Sequence, residues 1–340
     1  MVARSTAQCQ TDAVAPAAWR AELKTAFTQV DPLLALLGLR RNQFPDLDPT
    51  PGPFPLLVPR AFAALMRPGD AQDPLLRQVL PLRCERIAAP ECGTDPVGDR
   101  AATCTPGLLR KYAGRALLIA HGGCAVHCRY CFRRHFPYAE LGAYGPRIAT
   151  AIAAIRSDTT LHEVILSGGD PLMHSDDALC TLLAQLAAIP HVRRLRLHSR
   201  LPVVLPSRLT ARLGELLGAL HPRPVLVIHA NHARELGATA QTGLRALGGR
   251  GVTLLNQSVL LRGVNDTADA LAQLSERLLD CGVLPYYLHQ LDLVQGAAHF
   301  AVADRVALDL LAALRTRLPG YLVPRLVREV EGAGYKRPLA

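Results

Sequence analysis

At 340 residues the chain is long enough for one large α/β domain, or for that domain with an extension. Hydrophobic residues make up 49%, and no apolar run approaches the length of a membrane span, so a water-soluble protein with a substantial core is expected and a bilayer-crossing helix is not. The formal charge of +10 and pI near 9.4 invite a nucleic-acid partner. Aromatic residues are only 5%, however, and no basic run is interleaved with stacking rings, so direct nucleic-acid binding is not expected. A face for acidic proteins or anionic cofactors is the milder reading.

Residues 1 to about 20 show no periodic pattern and read as a loosely held end. The spacing of Trp19, Leu23, Phe27, Val30 and Leu34 predicts a helix over 19–39. Phe44 to Pro59 contains six prolines and is predicted extended or irregular. Helical propensity returns from Arg60 to Val79, broken by Pro68-Gly69. These features predict a helical and extended cap over 1–105, with no chemistry of its own, before a β/α unit over 106–320 and a C-terminal segment over 321–340.

From Arg115 onward, short aliphatic runs alternate with longer amphipathic stretches. Strands are predicted near Ala116–Ala120, Val164–Ser167, Leu195–His198, Val225–His229, Val252–Asn256 and Pro285–His289, each followed by a helix-like stretch. Six such units predict parallel strands with right-handed crossovers, most economically an open, partial (β/α)6 barrel. Polar residues stand at the carboxyl ends: His121, Ser167-Gly168-Gly169-Asp170, His198-Ser199-Arg200, His229-Ala230-Asn231, Asn256-Gln257 and His289-Gln290-Leu291-Asp292. Ligands of parallel β/α folds gather at that end, so these loops are expected to converge on one cavity.

After the first strand comes Gly122-Gly123-Cys124-Ala125-Val126-His127-Cys128-Arg129-Tyr130-Cys131, a C-x3-C-x2-C arrangement. Three thiolates from Cys124, Cys128 and Cys131 suit three corners of a [4Fe-4S] cluster and leave the fourth iron free to chelate a small molecule. A structural zinc site is the weaker alternative, because it needs four closed ligands and His127 lies between two of the thiols. Disulfides are not expected: no signal peptide is recognised and the nine cysteines are an odd, scattered set. Cys9, Cys84, Cys92, Cys104, Cys180 and Cys281 read as buried or incidental thiols. The cytoplasm is the expected compartment.

The segment from Gly122 to Tyr138 resembles the cluster loop of radical S-adenosylmethionine enzymes. Cys-Arg-Tyr-Cys-Phe-Arg-Arg-His is similar in particular to the lysine 2,3-aminomutase family, over a span from about Pro74 to Pro338. Within that family it is most like the short bacterial branch that makes (R)-β-lysine for modification of translation elongation factor P. The resemblance implies an isomerase that uses the cluster, S-adenosylmethionine and pyridoxal phosphate to move the α-amino group of L-lysine from C2 to C3. It implies an electron donor such as flavodoxin, and a functional link to elongation factor P and its lysine ligase. A monomer is expected.

Site residues follow from the same resemblance. Gly168, Gly169 and Asp170 would lie along the methionine amino group of S-adenosylmethionine, with Asp170 accepting from it. Lys336, in Gly332-Ala333-Gly334-Tyr335-Lys336-Arg337-Pro338, would hold pyridoxal phosphate as a Schiff base. Arg133 would clamp the substrate carboxylate, a bidentate task suited to guanidinium. Asp292 would receive the distal ammonium, with Glu329 where the lysine enzymes carry a second aspartate. Asn256 and Gln257 would point into the cavity, Gln257 as a cofactor contact, and Arg115 would help hold the cofactor phosphate. Asn265-Asp266 would cap the next helix. Two other readings stand beside this one: an aminomutase making free β-lysine as a metabolite, and a non-catalytic iron-sulfur sensor indifferent to Lys336 and Asp170.

Overall fold

The structure, a computed structural model, describes residues 18–48, 52, 54–143 and 145–340. The loosely held end expected over the first 20 residues falls almost wholly outside them. One sheet organises the chain, with strands β1 (Thr103–Thr105), β2 (Leu108–Leu109), β3 (Arg115–His121), β4 (Glu163–Gly168), β5 (Arg194–Ser199), β6 (Val225–Ile228), β7 (Thr253–Val259), β8 (Leu284–His289), β9 (Arg325–Arg328) and β10 (Arg337–Pro338). Their spatial order is their sequence order, and every pair from β3 to β9 is parallel. β1 and β2 continue one edge antiparallel, and β10 pairs antiparallel with β9 at the other. The sheet is therefore the expected open, partial β/α barrel, carried one parallel strand further than the sequence suggests. β9 escapes the sequence reading because Arg325-Leu326-Val327-Arg328 is short and flanked by arginines.

Six helices form the crossovers: Pro146–Ser157, Asp176–Ala187, Ala211–Ala219, Ala238–Gly249, Ala268–Asp280 and Asp304–Arg317. Hydroxyl caps fix three of their starts, with Ser175, Thr210 and Thr267 accepting from the amides of Ala178, Leu213 and Ala270. The capping expected of Asn265-Asp266 thus belongs to Thr267. Asn265 is buried instead, accepting from Leu261 N and donating to Asn231 O and Val259 O, while Asp266 accepts from Gly263 N.

Alternation along the strands separates core from cavity. In β5, Leu195 and Leu197 are fully buried in the main core, whereas Arg196 and His198 line the cavity. The N-terminal helix predicted over 19–39 is in fact two, Ala18–Lys24 and Val30–Leu36. The break lets Phe27 exchange backbone hydrogen bonds with Val58, of 2.8 and 2.9 Å. The arm then wraps the cysteine loop: His127 N donates to Leu57 O and Arg129 N to Gln78 O, while Glu85 takes Arg129 and Arg134 in buried ion pairs. No helix among the described residues is long and apolar enough to cross a membrane.

Candidate active site

A cavity of roughly 680 Å³ fills the inside of the curved sheet, and Cys124, Cys128, Cys131, Lys336, Arg133 and Asp292 all line it. The cysteine loop is seated directly on the β4 turn: Gly169 N donates to His121 O at 2.7 Å and Asp170 N to Gly123 O at 2.9 Å. That contact explains the two glycines. A Cβ on Gly168, whose φ is +122°, would come within 2.4 Å of His121 O, and one on Gly169 within 2.4 Å of Gly123 O. Gly168 and Gly169 therefore position the cysteines as well as bordering the cavity.

Burial, followed by the other thiols, raises the thiol pKa of Cys124, and burial with Cys128 nearby pushes Cys131 up to about 11. Buried thiols set side by side in this way release their protons readily only to a metal. Among the described residues no group of three or more His, Cys, Asp or Glu side chains is arranged to hold a metal ion. Cys124, Cys128 and Cys131 would each hold one iron of a [4Fe-4S] cluster, which does not require three side chains to converge on a single ion.

Asp170 has another task than the expected one. Its carboxylate accepts from Ser199 Oγ at 2.8 Å, Arg200 N at 2.7 Å, Leu172 N at 3.0 Å and Leu201 N at 3.2 Å. These donors occupy its lone pairs and tie the end of β4 to the end of β5, leaving nothing for an ammonium group. Burial outweighs these hydrogen bonds, and the carboxyl pKa is raised to about 6. Asn256 is likewise inside the framework, bonded to the backbone N–H and C=O of Ala230.

At the far side of the cavity, charged side chains run in a line. Lys336 Nζ donates to Glu329 Oε2, Lys111 Nζ bridges Glu329 Oε1 at 3.0 Å and Asp99 Oδ1 at 2.6 Å, and Asp99 Oδ2 accepts from Arg133 Nε at 2.6 Å. Ser167 Oγ takes a further donor from Arg133, at 3.1 Å. Burial would raise both carboxyls, but Arg133 and Lys111 hold Asp99 low, and Lys336 and Lys111 hold Glu329 far below the usual carboxylate range. Asp292 forms no ion pair with a cation among the described residues, and the pull of Lys336 and Lys111 on it is outweighed. Its Oδ1 is buried without a partner among the described residues, and burial, then Glu329, lifts its pKa to about 7.

Between the two sides lie His198, His229, His289 and Gln257. Burial, reinforced by nearby cations, keeps all three imidazoles neutral, with His229 driven down to about 3. Gln257 Nε2 contacts His229 Nε2, while Nε2 of His198 and of His289 is buried without a partner. At the base of the sheet, Arg115, Arg196 and Arg325 line the cavity together with Tyr112, Tyr286 and Tyr287.

A family profile described as a 4Fe-4S single cluster domain matches residues 113–191. Over 322 residues the chain is 49% identical to a protein named L-lysine 2,3-aminomutase from Escherichia coli, covering 94% of each. A protein of the same name from Haemophilus influenzae is 44% identical over 92% of this chain and 93% of its own. Another, from Clostridium subterminale, is 34% identical over 94% of this chain and 77% of its own. The chain belongs to the lysine 2,3-aminomutase family.

Lysine 2,3-aminomutases are isomerases, and the family's cofactors are the cluster, S-adenosylmethionine and pyridoxal phosphate. The residues of this aminomutase fit the cluster and pyridoxal phosphate. Three adjacent thiols suit the iron atoms, a primary amine on the cavity wall suits a carbonyl cofactor, and the arginines at the sheet base suit its phosphate. The unpartnered imidazole nitrogens and Asp292 oxygen are groups that a molecule bound in this cavity would satisfy. Sequence reasoning missed Asp99 and Lys111, which lie outside any motif, and Arg196 and Arg325, whose spacing resembles that of ordinary strand-edge charges.

Proposed function

We propose that this aminomutase converts L-lysine to (R)-β-lysine, that Arg133 binds the substrate carboxylate and Asp292 its distal ammonium, and that Lys336 carries pyridoxal phosphate. The observation that carries the reading is Asp292: a buried carboxylate oxygen without a partner, facing the same cavity as the anchored Arg133 guanidinium. A ligand with a carboxylate at one end and an ammonium at the other satisfies both. The name of the relatives, L-lysine 2,3-aminomutase, supports lysine as the substrate.

In the mechanism, Asp99 and Ser167 fix the plane of Arg133 so that the substrate carboxylate meets a rigid partner. Lys336 is the ion-pair partner of Glu329, which holds its amine at the cavity wall where pyridoxal phosphate would bind. Glu329 is paired with Lys111 as well as Lys336, so Asp292 is left with the main share of the substrate ammonium. The neutral histidines fill the wall without adding charge beside the ammonium, and the cavity keeps water from the reacting carbons. When bound, the cluster with S-adenosylmethionine supplies a carbon radical that takes hydrogen from C3, and pyridoxal phosphate supplies the carbonyl that carries the migrating amino group.

We further infer that the β-lysine serves elongation factor P through its lysine ligase, with a flavodoxin-type donor reducing the cluster. In support, the chain spans 94% of the Escherichia coli relative at 49% identity, against 77% of the Clostridium one at 34%. The test is anaerobic incubation of reconstituted protein with dithionite, S-adenosylmethionine, pyridoxal phosphate and L-lysine, with chiral separation of the products. Formation of (R)-β-lysine dependent on all three cofactors is expected. Deoxyadenosine without β-lysine would overturn lysine as substrate.

A further inference from the structure

One buried cation near the cysteines takes no part in the mechanism above. Arg200 Nη1 lies 2.5 Å from Cys128 Sγ, and Nη2 donates to Gln78 Oε1 at 2.7 Å and to Glu235 Oε2 at 3.2 Å. Its guanidinium carbon stands 5.4 Å from the Tyr130 ring centroid and 5.6 Å from that of Phe62. Gln78 is held in turn by Glu235 and Asn231, and Asn231 by Tyr130. Arg200 and Glu235 are buried at 7% and 0% exposure. A charged donor desolvated to this degree, and fixed by two rings, an amide and a carboxylate, is preorganised toward one sulfur. Its Nε is also buried without a partner among the described residues.

A reduced [4Fe-4S] cluster carries one more negative charge than its oxidised form. A cation and N–H donor at a ligating sulfur therefore stabilise the reduced form more than the oxidised form. We propose that Arg200, held by Gln78 and Glu235, acts through Cys128 to raise the reduction potential of the cluster, so that an external one-electron donor can reduce it. This rests on the three cysteines holding the cluster. One electron enters and the cluster passes from the 2+ to the 1+ state, with no bond made or broken and no proton moved. The arm carrying Gln78, which showed no chemistry in the sequence, thereby takes part in setting the cluster's electronics.

The experiment is an anaerobic, dithionite-driven redox titration of the reconstituted protein, followed by electron paramagnetic resonance without S-adenosylmethionine. Arg200→Met is compared with wild type at equal iron and sulfide content. Since Arg200→Met strands the Glu235 carboxylate, Arg200→Met/Glu235→Gln removes both charges together. Arg200→Met is expected to lower the reduced-to-oxidised ratio at a fixed potential about tenfold, which is ~59 mV for one electron. The double variant, which also loses the opposing negative charge farther from the sulfur, is expected to shift the same way by less, and Arg200→Lys to fall between Arg200→Met and wild type. An unchanged midpoint in either loaded variant overturns the proposal. Failure of both to take up iron also overturns it, making Arg200 a structural residue. Absence of iron and sulfide from the wild-type protein would instead refute the cluster assignment beneath it.

Discussion

Arg133 Nε donates to Asp99 Oδ2 at 2.6 Å across 34 residues of sequence, so the proposed carboxylate clamp is set by a side chain from the N-terminal arm. Asp99→Asn keeps the shape and removes the charge that orients the guanidinium. Hydrogen bonds to charged groups contribute about 1.5–3 kcal/mol. The expected result is therefore a KM for lysine raised about ten- to a hundred-fold, with iron content unchanged, measured by steady-state kinetics and iron analysis. A KM at the wild-type value would separate Arg133 from substrate binding.

Lys336→Ala removes the amine that Glu329 holds at the cavity wall. Turnover should fall to background, and the visible absorbance of lysine-bound pyridoxal phosphate should be missing, while S-adenosylmethionine cleavage on the cysteine side continues. Spectra and deoxyadenosine analysis of the same sample separate the two halves of the site. A Lys336→Ala variant that still forms β-lysine removes Lys336 from the chemistry.

Asp292, with its pKa raised to about 7 in the empty site, gives a pH signature. The lysine ammonium stays charged between pH 6 and 8, so only the ionised carboxylate needs to be formed. Lysine affinity should climb through about pH 7 and level off above it, and Asp292→Asn should abolish that rise. Stability moves the other way. The folded chain holds this proton more tightly than the unfolded one, so the contribution is complete below about pH 4, near the unfolded value, and is lost as pH rises through about 7. Ligand-free Asp292→Asn protein should therefore melt higher than wild type at pH 8, by calorimetry.

Gly169→Ala places a methyl group within 2.4 Å of Gly123 O, directly before Cys124. The loop must shift to make room, at a cost of about 1–3 kcal/mol. Iron uptake should drop while the helical circular dichroism is retained. Uptake equal to wild type would show that the two turns are not in register-fixing contact.

The crossover pattern was legible in the sequence because each strand carries a short aliphatic run that enters the core and each is followed by an amphipathic helix. Six strands were readable to within three residues at either end. β9 was not, because its pairing with β8 depends on a partner 38 residues away rather than on its own periodicity. The cysteine spacing was equally plain, since three ligands of one cluster must be close in the chain.

Asp170 shows where local reading stops. Next to two glycines at a strand end it has every mark of a ligand residue, yet Ser199 and three backbone amides take up its lone pairs. The sequence alone determined six of the parallel strands, their crossover helices and the thiol triad, because these follow from periodicity and short spacing. Only the tertiary structure decided which charges face one another. It gave Arg133 to Asp99, Glu329 to Lys336 and Lys111, and Arg200 to Cys128, and it left Asp292 unpaired. Coulomb energies depend on separation in space and on exclusion of water, and neither is written in the distance between residues along the chain.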